Sequence, residues 1–136
     1  MIDYVPTVCP YCGTGCGLML EVDDGRLIGT APLRTHPVSQ GTLCIKGNNA
    51  HEFVHSEERL KSPMIRKKKH GPLQEVSWDE AIDFVAENLK KIKNDHGADS
   101  IALLSCARAT NEENYLCMKF ARSVIGTNNV DHCARV

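Results

Sequence analysis

Four cysteines near the amino terminus constrain this chain more than any other feature. Three of them lie in the run CPYCGTGC at residues 9–16, and the fourth is Cys44. The spacing is C-x2-C-x3-C, followed by a long gap and a single cysteine. Thiolates packed this tightly on a glycine-rich loop can face one point, so the pattern predicts a metal centre.

Two kinds of metal centre use four cysteines. Structural zinc sites usually take their ligands in two pairs, such as C-x2-C and a distant second C-x2-C. Here three ligands come from one loop, an arrangement typical of iron–sulfur clusters, and the glycines between them let the backbone approach closely. The spacing therefore favours a [4Fe–4S] cluster over zinc. The predicted ligands are Cys9, Cys12, Cys16 and Cys44.

Lys46 follows the fourth cysteine by two residues. A single lysine in a loop is ordinarily just solvated. Beside a negatively charged tetrathiolate cluster, however, an ammonium group would stabilise the reduced state and could bridge to a second redox centre. Lys46 is therefore a candidate electron-transfer residue.

The chain has seven cysteines, an odd number that fits a closed disulfide framework poorly. The amino terminus resembles no secretory leader, so we expect a cytoplasmic protein whose thiols are reduced or bound to metal. Cys106 ends an apolar run and Cys117 lies in a helical pattern, and both are expected to be small core residues. No role is assigned to Cys133.

Charge and hydropathy exclude other classes of function. The 136 residues carry 16 basic and 17 acidic side chains, a formal net charge of -1. This balance gives no reason to expect binding to nucleic acid or to a membrane surface. No apolar stretch approaches the length of a transmembrane helix.

The first part of the chain, residues 1–62, is predicted to be a small β-rich cluster domain. A strand at residues 18–22 is followed by an Asp-Gly turn and a return strand that starts at Leu27. Residues 30–41 contain two prolines and are predicted to be a loop that delivers Cys44 to the cluster. A short helix is expected at residues 51–60.

The second part, residues 63–136, is predicted to be the incomplete start of an α/β domain. A hairpin with a basic tip precedes a helix that begins at a capping box of Ser77 and Glu80 and ends at Gly97, with an apolar face expected in the core. The apolar run 100–105 predicts a strand buried on both faces.

A second capping box, at Thr110 and Glu113, starts a helix that is expected to run to Ile125 and to stop at Gly126, with a strand from Val130. Helix, buried strand and helix alternate as in an α/β fold, within a chain that is α+β overall. One strand and two helices cannot cover both faces of a parallel sheet, so this part is predicted to be unfinished.

These motifs resemble a known enzyme family. The run at residues 9–16, followed by GTLCIKG at residues 41–47, resembles the amino-terminal cluster motif of the molybdopterin oxidoreductases, which carry molybdenum or tungsten on two pterin guanine dinucleotides. Within that family, SCARATNEENY at residues 105–115 and FARSVIGTNNVDHCARV at residues 120–136 resemble the catalytic (alpha) subunits of formate dehydrogenases. The resemblance covers essentially the whole chain.

The resemblance implies roles for individual residues. The cluster ligands of the family match Cys9, Cys12, Cys16 and Cys44. Lys46 matches the lysine between the cluster and the pterin, and Arg108 and Asn111 match a loop that lines the pterin dinucleotide. Because Glu112 and Glu113 already supply negative charge to the following helix, a phosphate there would depend on Arg108 for its charge match.

In the resembling enzymes, the segment that matches the end of this chain is followed directly by the cysteine or selenocysteine that ligates the metal, and then by a histidine. The resemblance therefore implies no catalytic residue within the chain and a metal ligand immediately after Val136. Because selenocysteine is encoded by UGA, we expect a selenoprotein chain that ends at that codon. A chain cut by design is the alternative.

The resemblance implies the amino-terminal part of a formate dehydrogenase catalytic subunit. Electrons from formate would pass through the pterin and past Lys46 to the cluster, and then to an iron–sulfur or flavin-containing acceptor subunit. The chain alone is expected to be inactive, to expose apolar surface and to self-associate. The alternatives are a sister enzyme of the nitrate reductase or formylmethanofuran dehydrogenase type, and a free-standing ferredoxin-like or zinc-binding module.

Overall fold

A three-stranded antiparallel sheet forms the first part of the chain. In this computed structural model, which describes residues 1–133, the strands are β1 (Asp3–Val8), β2 (Gly17–Asp23) and β3 (Arg26–Pro32), in the order β1-β2-β3. Asp24 and Gly25 join β2 to β3 with positive φ angles of 47° and 74°. Two such residues give the turn whose twist matches a hairpin. The predicted strand, turn and return strand are confirmed.

A small core lies between this sheet and the segment that follows it. Leu18 of β2 is 1% exposed and packs in a buried cluster with Cys9 and Ala50. The short helix α1 (Ile45–Asn48) follows Cys44 directly and contacts β3. The hydroxyl of Thr30 donates to the carbonyls of Gly47 and Asn48, at 3.0 and 2.7 Å, which fixes α1 against the sheet.

Two expectations for this part were wrong. Residues 30–32 belong to β3 rather than to a loop, because they pair with β2 in register with residues 18–20. The helix expected at residues 51–60 is a single 3-10 turn, Glu52–His55. Residues 52–60 are all exposed, so tertiary packing does not support a longer helix there.

A short hairpin leads into the longest helix. Strands β4 (Met64–Ile65) and β5 (Gln74–Glu75) pair antiparallel, as predicted, and helix α2 spans Trp78–His96. The Ser77 hydroxyl accepts a hydrogen bond from the Glu80 backbone N–H at 3.2 Å. The Glu80 carboxylate instead pairs with Lys67 at 2.9 Å, so only half of the expected capping box forms.

The last part of the described chain contains a pair of parallel strands. β6 (Leu103–Ser105) pairs with β7 (Val130–His132), and helix α3 (Asn111–Phe120) lies between them in sequence. A π-helical segment, Ala121–Ile125, extends α3 as far as expected, and Gly126 then adopts a φ of 88°. The Thr110–Glu113 capping box is complete.

Burial in this second part is lower than expected. Helix α2 has no buried residue, and Trp78 on its apolar face is 68% exposed. The strand expected to be buried on both faces begins only at Leu103, after a 3-10 turn at Ala98–Ser100, and Leu104 is 82% exposed. Within residues 1–133, β6 pairs with β7 alone, and no residue of either strand is fully buried.

The expected mixture of helices and strands is confirmed, with an antiparallel sheet first and a parallel pair later. Among the helices of the described residues, none combines the length and the apolar character that a bilayer crossing requires.

Candidate metal centre

The three clustered cysteines lie on the loop that joins β1 to β2. The strands pair up to Val8 and Gly17, which closes the loop at its base. The Cys9 N–H donates to the Cys16 carbonyl at 2.8 Å, and the Gly15 N–H donates to the Cys12 carbonyl at 3.2 Å. Gly15 has a φ of 62°, a conformation that glycine adopts without steric cost. The loop is therefore held in a tight, internally bonded shape.

The fourth cysteine reaches the same place from the other side of the core. Cys44 is the N-cap of α1, and the loop before it is braced by Ser39. The buried Ser39 hydroxyl accepts a hydrogen bond from the Gly17 N–H at 3.2 Å, and the Ser39 carbonyl accepts one from the Thr42 hydroxyl at 2.6 Å. His36 Nδ1 lies 3.4 Å from the Ser39 hydroxyl. Sequence reasoning missed these supporting residues.

All four predicted ligands face one cavity of about 260 Å³. Its walls also include Lys46, so the structure brings together the five residues that sequence analysis singled out at this end of the chain. Cys9 is buried and Cys44 is exposed, which leaves one side of the cavity open to solvent. The lining residues are Cys9, Tyr11, Cys12, Cys16, Leu43, Cys44, Ile45, Lys46 and Gly47.

The surroundings shift the pKa values of Cys12, Cys16 and Cys44, and not all in the same direction. The pKa of Cys12 is lowered by hydrogen bonds from the hydroxyl and the N–H of Thr14. The pKa of Cys44 is lowered by the Gly47 and Lys46 N–H groups at the start of α1. The pKa of Cys16 is raised, first by burial and then by the neighbouring cysteines. Four thiolates at this spacing repel one another, and a cationic metal group would offset that repulsion.

The donor set fits a [4Fe–4S] cluster. Three thiols come from the loop between β1 and β2 and the fourth from the N-cap of α1, and all four line one cavity. Iron–sulfur clusters commonly take several thiolates from one loop, whereas structural zinc sites usually take theirs in two pairs.

Lys46 lies where two cavities meet. It is half-buried in α1, and with Tyr11 and Ile45 it also lines a neighbouring cavity of about 390 Å³. Its charge is therefore held close to the thiols without a carboxylate partner within the described residues. This position suits a residue that stabilises negative charge on the cluster.

Asn111 and Arg108 make contacts with different parts of the chain. The Asn111 side chain donates to the Gly13 carbonyl at 2.8 Å, so it lies directly on the cysteine loop. A Cβ at Gly13 would come within 2.6 Å of the Asn111 Oδ1 atom, which explains why a glycine fits here. Arg108 is exposed and lies beside Cys106, to whose sulfur its N–H donates at 3.3 Å.

A second cavity, of about 550 Å³, lies where β6 and β7 end. Asn114 shapes its edge: its amide donates to the carbonyls of Cys106, Ala109 and Thr110 at 3.0–3.3 Å and its oxygen accepts from the Ser105 hydroxyl. Ligands of open α/β sheets bind outside the carboxyl ends of the strands. Sequence reasoning missed Asn114, although the polar Ser105 at the end of an apolar run was a usable signal.

Comparison with known proteins assigns the family. Residues 2–56 match the molybdopterin oxidoreductase Fe4S4 domain, and residues 59–136 match the molybdopterin oxidoreductase family. The chain belongs to the molybdopterin oxidoreductases. The two matching family descriptions indicate a [4Fe–4S] cluster and a molybdopterin cofactor.

Among similar proteins, several are formate dehydrogenases. The chain is 53% identical over 135 residues to F420-dependent formate dehydrogenase 1 subunit alpha of Methanococcus maripaludis, and 50% identical over 137 residues to formate dehydrogenase H of Escherichia coli. These alignments include 99% and 97% of the chain but 19% of either relative, so the chain spans about a fifth of their length.

Among solved structures, acetylene hydratase from Pelobacter acetylenicus matches with a TM-score of 0.71 and 26% identity. The match covers 93% of this chain and 18% of the hydratase.

Proposed function

We propose that this chain is the amino-terminal part of the catalytic subunit of a formate dehydrogenase, which oxidises formate to carbon dioxide and releases two electrons and a proton. The observation that carries the proposal is the convergence of four cysteines and Lys46 on one cavity. It occurs in a chain that is half identical to formate dehydrogenase alpha subunits over nearly all of its length.

The four cysteines hold the cluster. A bound [4Fe–4S] cluster supplies one-electron transfer, and a molybdenum or tungsten centre on two pterin guanine dinucleotides supplies the chemistry on formate. Cys12 and Cys44 offer thiolates that are already stabilised by hydrogen bonds. Tyr11, Leu43 and Ile45 give the cavity wall an apolar part beside the four thiols.

Lys46 stabilises the reduced cluster by its charge. Replacing it by glutamine in the chain with its cluster bound is expected to make the reduction potential more negative, because a positive charge beside the added electron is lost. A redox titration measures this change. Lys61→Gln is the matched control, since Lys61 is exposed and lies outside the lining of the cavity. Equal potentials in both variants would exclude this role for Lys46.

Asn111 and Arg108 face the pterin dinucleotide in this proposal. Asn111, the first residue of α3, connects that helix to the cysteine loop through its hydrogen bond to Gly13, and Arg108 is exposed and has no carboxylate partner among residues 1–133. The strand pairing supports the division of the chain into a cluster domain, residues 1–62, and the start of an α/β molybdopterin domain, residues 63–136. The three-stranded antiparallel sheet lies wholly in the first, and the short β4–β5 hairpin and the parallel pair lie in the second.

The cluster is tested first. Iron and acid-labile sulfide are measured on the chain prepared without oxygen, together with serine variants of the four cavity cysteines and of Cys117, which lies half-buried on α3. We expect about four irons and four sulfides per chain, a loss of both in each cavity variant, and no loss in Cys117→Ser. Zinc without sulfide in the parent chain would contradict the proposal.

The reaction is tested on the reading frame that contains this chain. The DNA beyond codon 136 is expected to carry a cysteine or UGA codon followed by a histidine codon. The protein expressed from the continuous frame is then assayed with formate, with nitrate and with formylmethanofuran. Oxidation of formate alone supports the proposal, whereas turnover of another substrate replaces it. The 136-residue chain by itself is expected to be inactive on all three.

One observation favours an alternative candidate function on the same fold. The similarity to acetylene hydratase shows that this local fold occurs in a protein named for a hydration reaction. A sister enzyme with another substrate is therefore the alternative, and it would share the iron and sulfide result but fail the formate assay. An iron–sulfur or flavin-containing acceptor subunit is the partner that the formate proposal requires, because the electrons must leave the cluster.

A further inference from the structure

Two cysteines outside the metal centre face each other at the carboxyl ends of β6 and β7. In the parallel pair, Ser105 lies opposite His132, and the residue that directly follows each strand is a cysteine. The Cys106 and Cys133 sulfur atoms are 3.6 Å apart. Neighbouring strands are about 4.8 Å apart, within the range of Cα separations that a disulfide spans.

This juxtaposition changes two expectations. Cys106 was expected to be a core residue, but its sulfur lies at the partly exposed end of the strand beside Cys133. Cys133, which had no role assigned from its sequence context, is exposed and accessible to a reagent in solution. Neither residue lines the cavity of the metal centre.

The surrounding backbone favours a thiolate at Cys133. The Ala107 N–H donates to the Cys133 sulfur at 3.2 Å, and the Arg108 N–H donates to the Cys106 sulfur at 3.3 Å. The pKa of Cys133 is lowered, first by the Ala107 N–H and then by Cys106, and the nearby Arg108 charge acts in the same direction. Cys133 is thus suited to attack and Cys106 to resolve, since the thiolate is the nucleophile in disulfide exchange.

We propose that Cys106 and Cys133 form a reversible disulfide by exchange with a low-molecular-weight disulfide. The Cys133 thiolate attacks one sulfur of the external disulfide, whose S–S bond breaks and releases a first thiol. The Cys106 sulfur then attacks Cys133 in the mixed disulfide, which releases a second thiol. The protein loses two electrons and two protons, and the external disulfide gains both.

The bridge would fix the strand ends beside the second cavity. Ser105 and His132 line that cavity, and they directly precede Cys106 and Cys133. Oxidation joins the two strand ends covalently, so the redox state of the pair sets how far they can separate. The exchange requires neither the cluster nor formate, and its test is independent of the proposed dehydrogenase function.

The test incubates the reduced chain, with its cluster bound, with oxidised glutathione in the absence of oxygen. Remaining thiols are then alkylated, and the chain is digested with trypsin. Cleavage after lysine and arginine separates the three later cysteines, because Cys106 falls in residues 94–108, Cys117 in 109–119 and Cys133 in 123–135. We expect one linked pair, 94–108 with 123–135, which a reductant separates again.

Serine variants identify the two roles. Cys133→Ser should abolish the linked pair, while Cys117→Ser should leave it unchanged. Cys106→Ser should accumulate a mixed disulfide of Cys133 with glutathione, because the resolving thiol is missing. Circular dichroism checks that the variants keep the parent fold. Complete alkylation of Cys106 and Cys133 at excess oxidant, or linkage of either one to Cys117 with equal yield, would overturn the proposal.

Discussion

Gly17 is the residue at which the cysteine loop depends most directly on the absence of a side chain. It is buried next to Cys16, and a Cβ there would lie 2.7 Å from the Cβ of His36 and even closer to the His36 ring. His36 supports Ser39, which in turn accepts from the Gly17 N–H. The position therefore joins the two segments that deliver the four cysteines.

We predict that Gly17→Ala lowers the free energy of unfolding by about 1–3 kcal/mol, the usual cost of overpacking a filled site. Denaturant unfolding measures the change, and the iron content should fall with it. Gly25→Asn is the control, because nothing lies near a Cβ at Gly25 and asparagine tolerates its positive φ. Equal stability of Gly17→Ala and the parent would mean that His36 moves away from the added methyl group at no cost in stability.

Asn111 is a second position at which the effect of a substitution can be predicted. Asn111→Ala removes the hydrogen bond to the Gly13 carbonyl, which joins residues 98 apart in sequence. We expect a loss of about 0.5–1.5 kcal/mol and faster hydrogen exchange of amides in the loop at residues 9–16. Asn88→Ala removes a bond of similar kind within α2, to the Phe84 carbonyl, and should leave exchange in that loop unchanged.

The residues of the metal centre and of its surroundings differ in how far the sequence could predict their roles. The cysteines were found because their spacing is a local pattern that matches one kind of metal centre. Ser39, His36 and Asn114 are ordinary polar residues, and their roles depend on partners brought close by the fold. Ser39, for example, meets Gly17 from 22 residues away. A motif search cannot find such contacts, because no fixed spacing in the chain encodes them.

At the scale of elements, the capping box at the start of α3 gives a testable prediction about stability. The Thr110 hydroxyl accepts from the Glu113 N–H at 3.3 Å, and the Glu113 carboxylate accepts from the Thr110 N–H at 2.7 Å. Thr110→Ala is predicted to cost about 1 kcal/mol of stability, measured by denaturant unfolding. Glu112→Ala, one residue away in the same exposed turn, should cost much less.

A double-variant cycle separates the cap from the helix dipole. If Thr110 and Glu113 act as one unit, the double variant Thr110→Ala with Glu113→Ala should cost less than the sum of the two single variants. Strict additivity would indicate that Glu113 acts only through its charge at the helix start.

Elements were predicted well where the signal was local and poorly where burial decided the outcome. Caps and glycine stops placed α2 and α3, because they depend on neighbours within one turn. The helix expected at residues 51–60 did not form, since residues 52–60 are all exposed and little burial would stabilise it. The strand at residues 100–105 was shortened for a related reason: a 3-10 turn takes its first residue, and its apolar side chains lack cover.

At the scale of the whole molecule, the apolar face of α2 is the dominant feature. Trp78, Ile82 and Val85 are each more than half exposed, and Ile92 is 39% exposed. Their spacing of three, four and seven residues puts them on one face of the helix, but no other element of residues 1–133 buries this face. The chain spans about a fifth of its relatives' length. The apolar periodicity of α2 therefore indicates a hydrophobic core that residues 1–133 form only in part.

An uncovered face of this kind predicts self-association of the 136-residue chain, because contact between copies removes apolar area from water. Sedimentation should show an average mass that increases with protein concentration. Over the same concentration range, the fluorescence emission of Trp78, the single tryptophan, should shift to shorter wavelength. The double variant Ile82→Lys with Val85→Lys should stay monomeric over the same range. Asn88→Lys with Asn94→Lys adds the same charge to α2 and should still associate. If both pairs suppress association equally, net charge rather than the apolar face controls it.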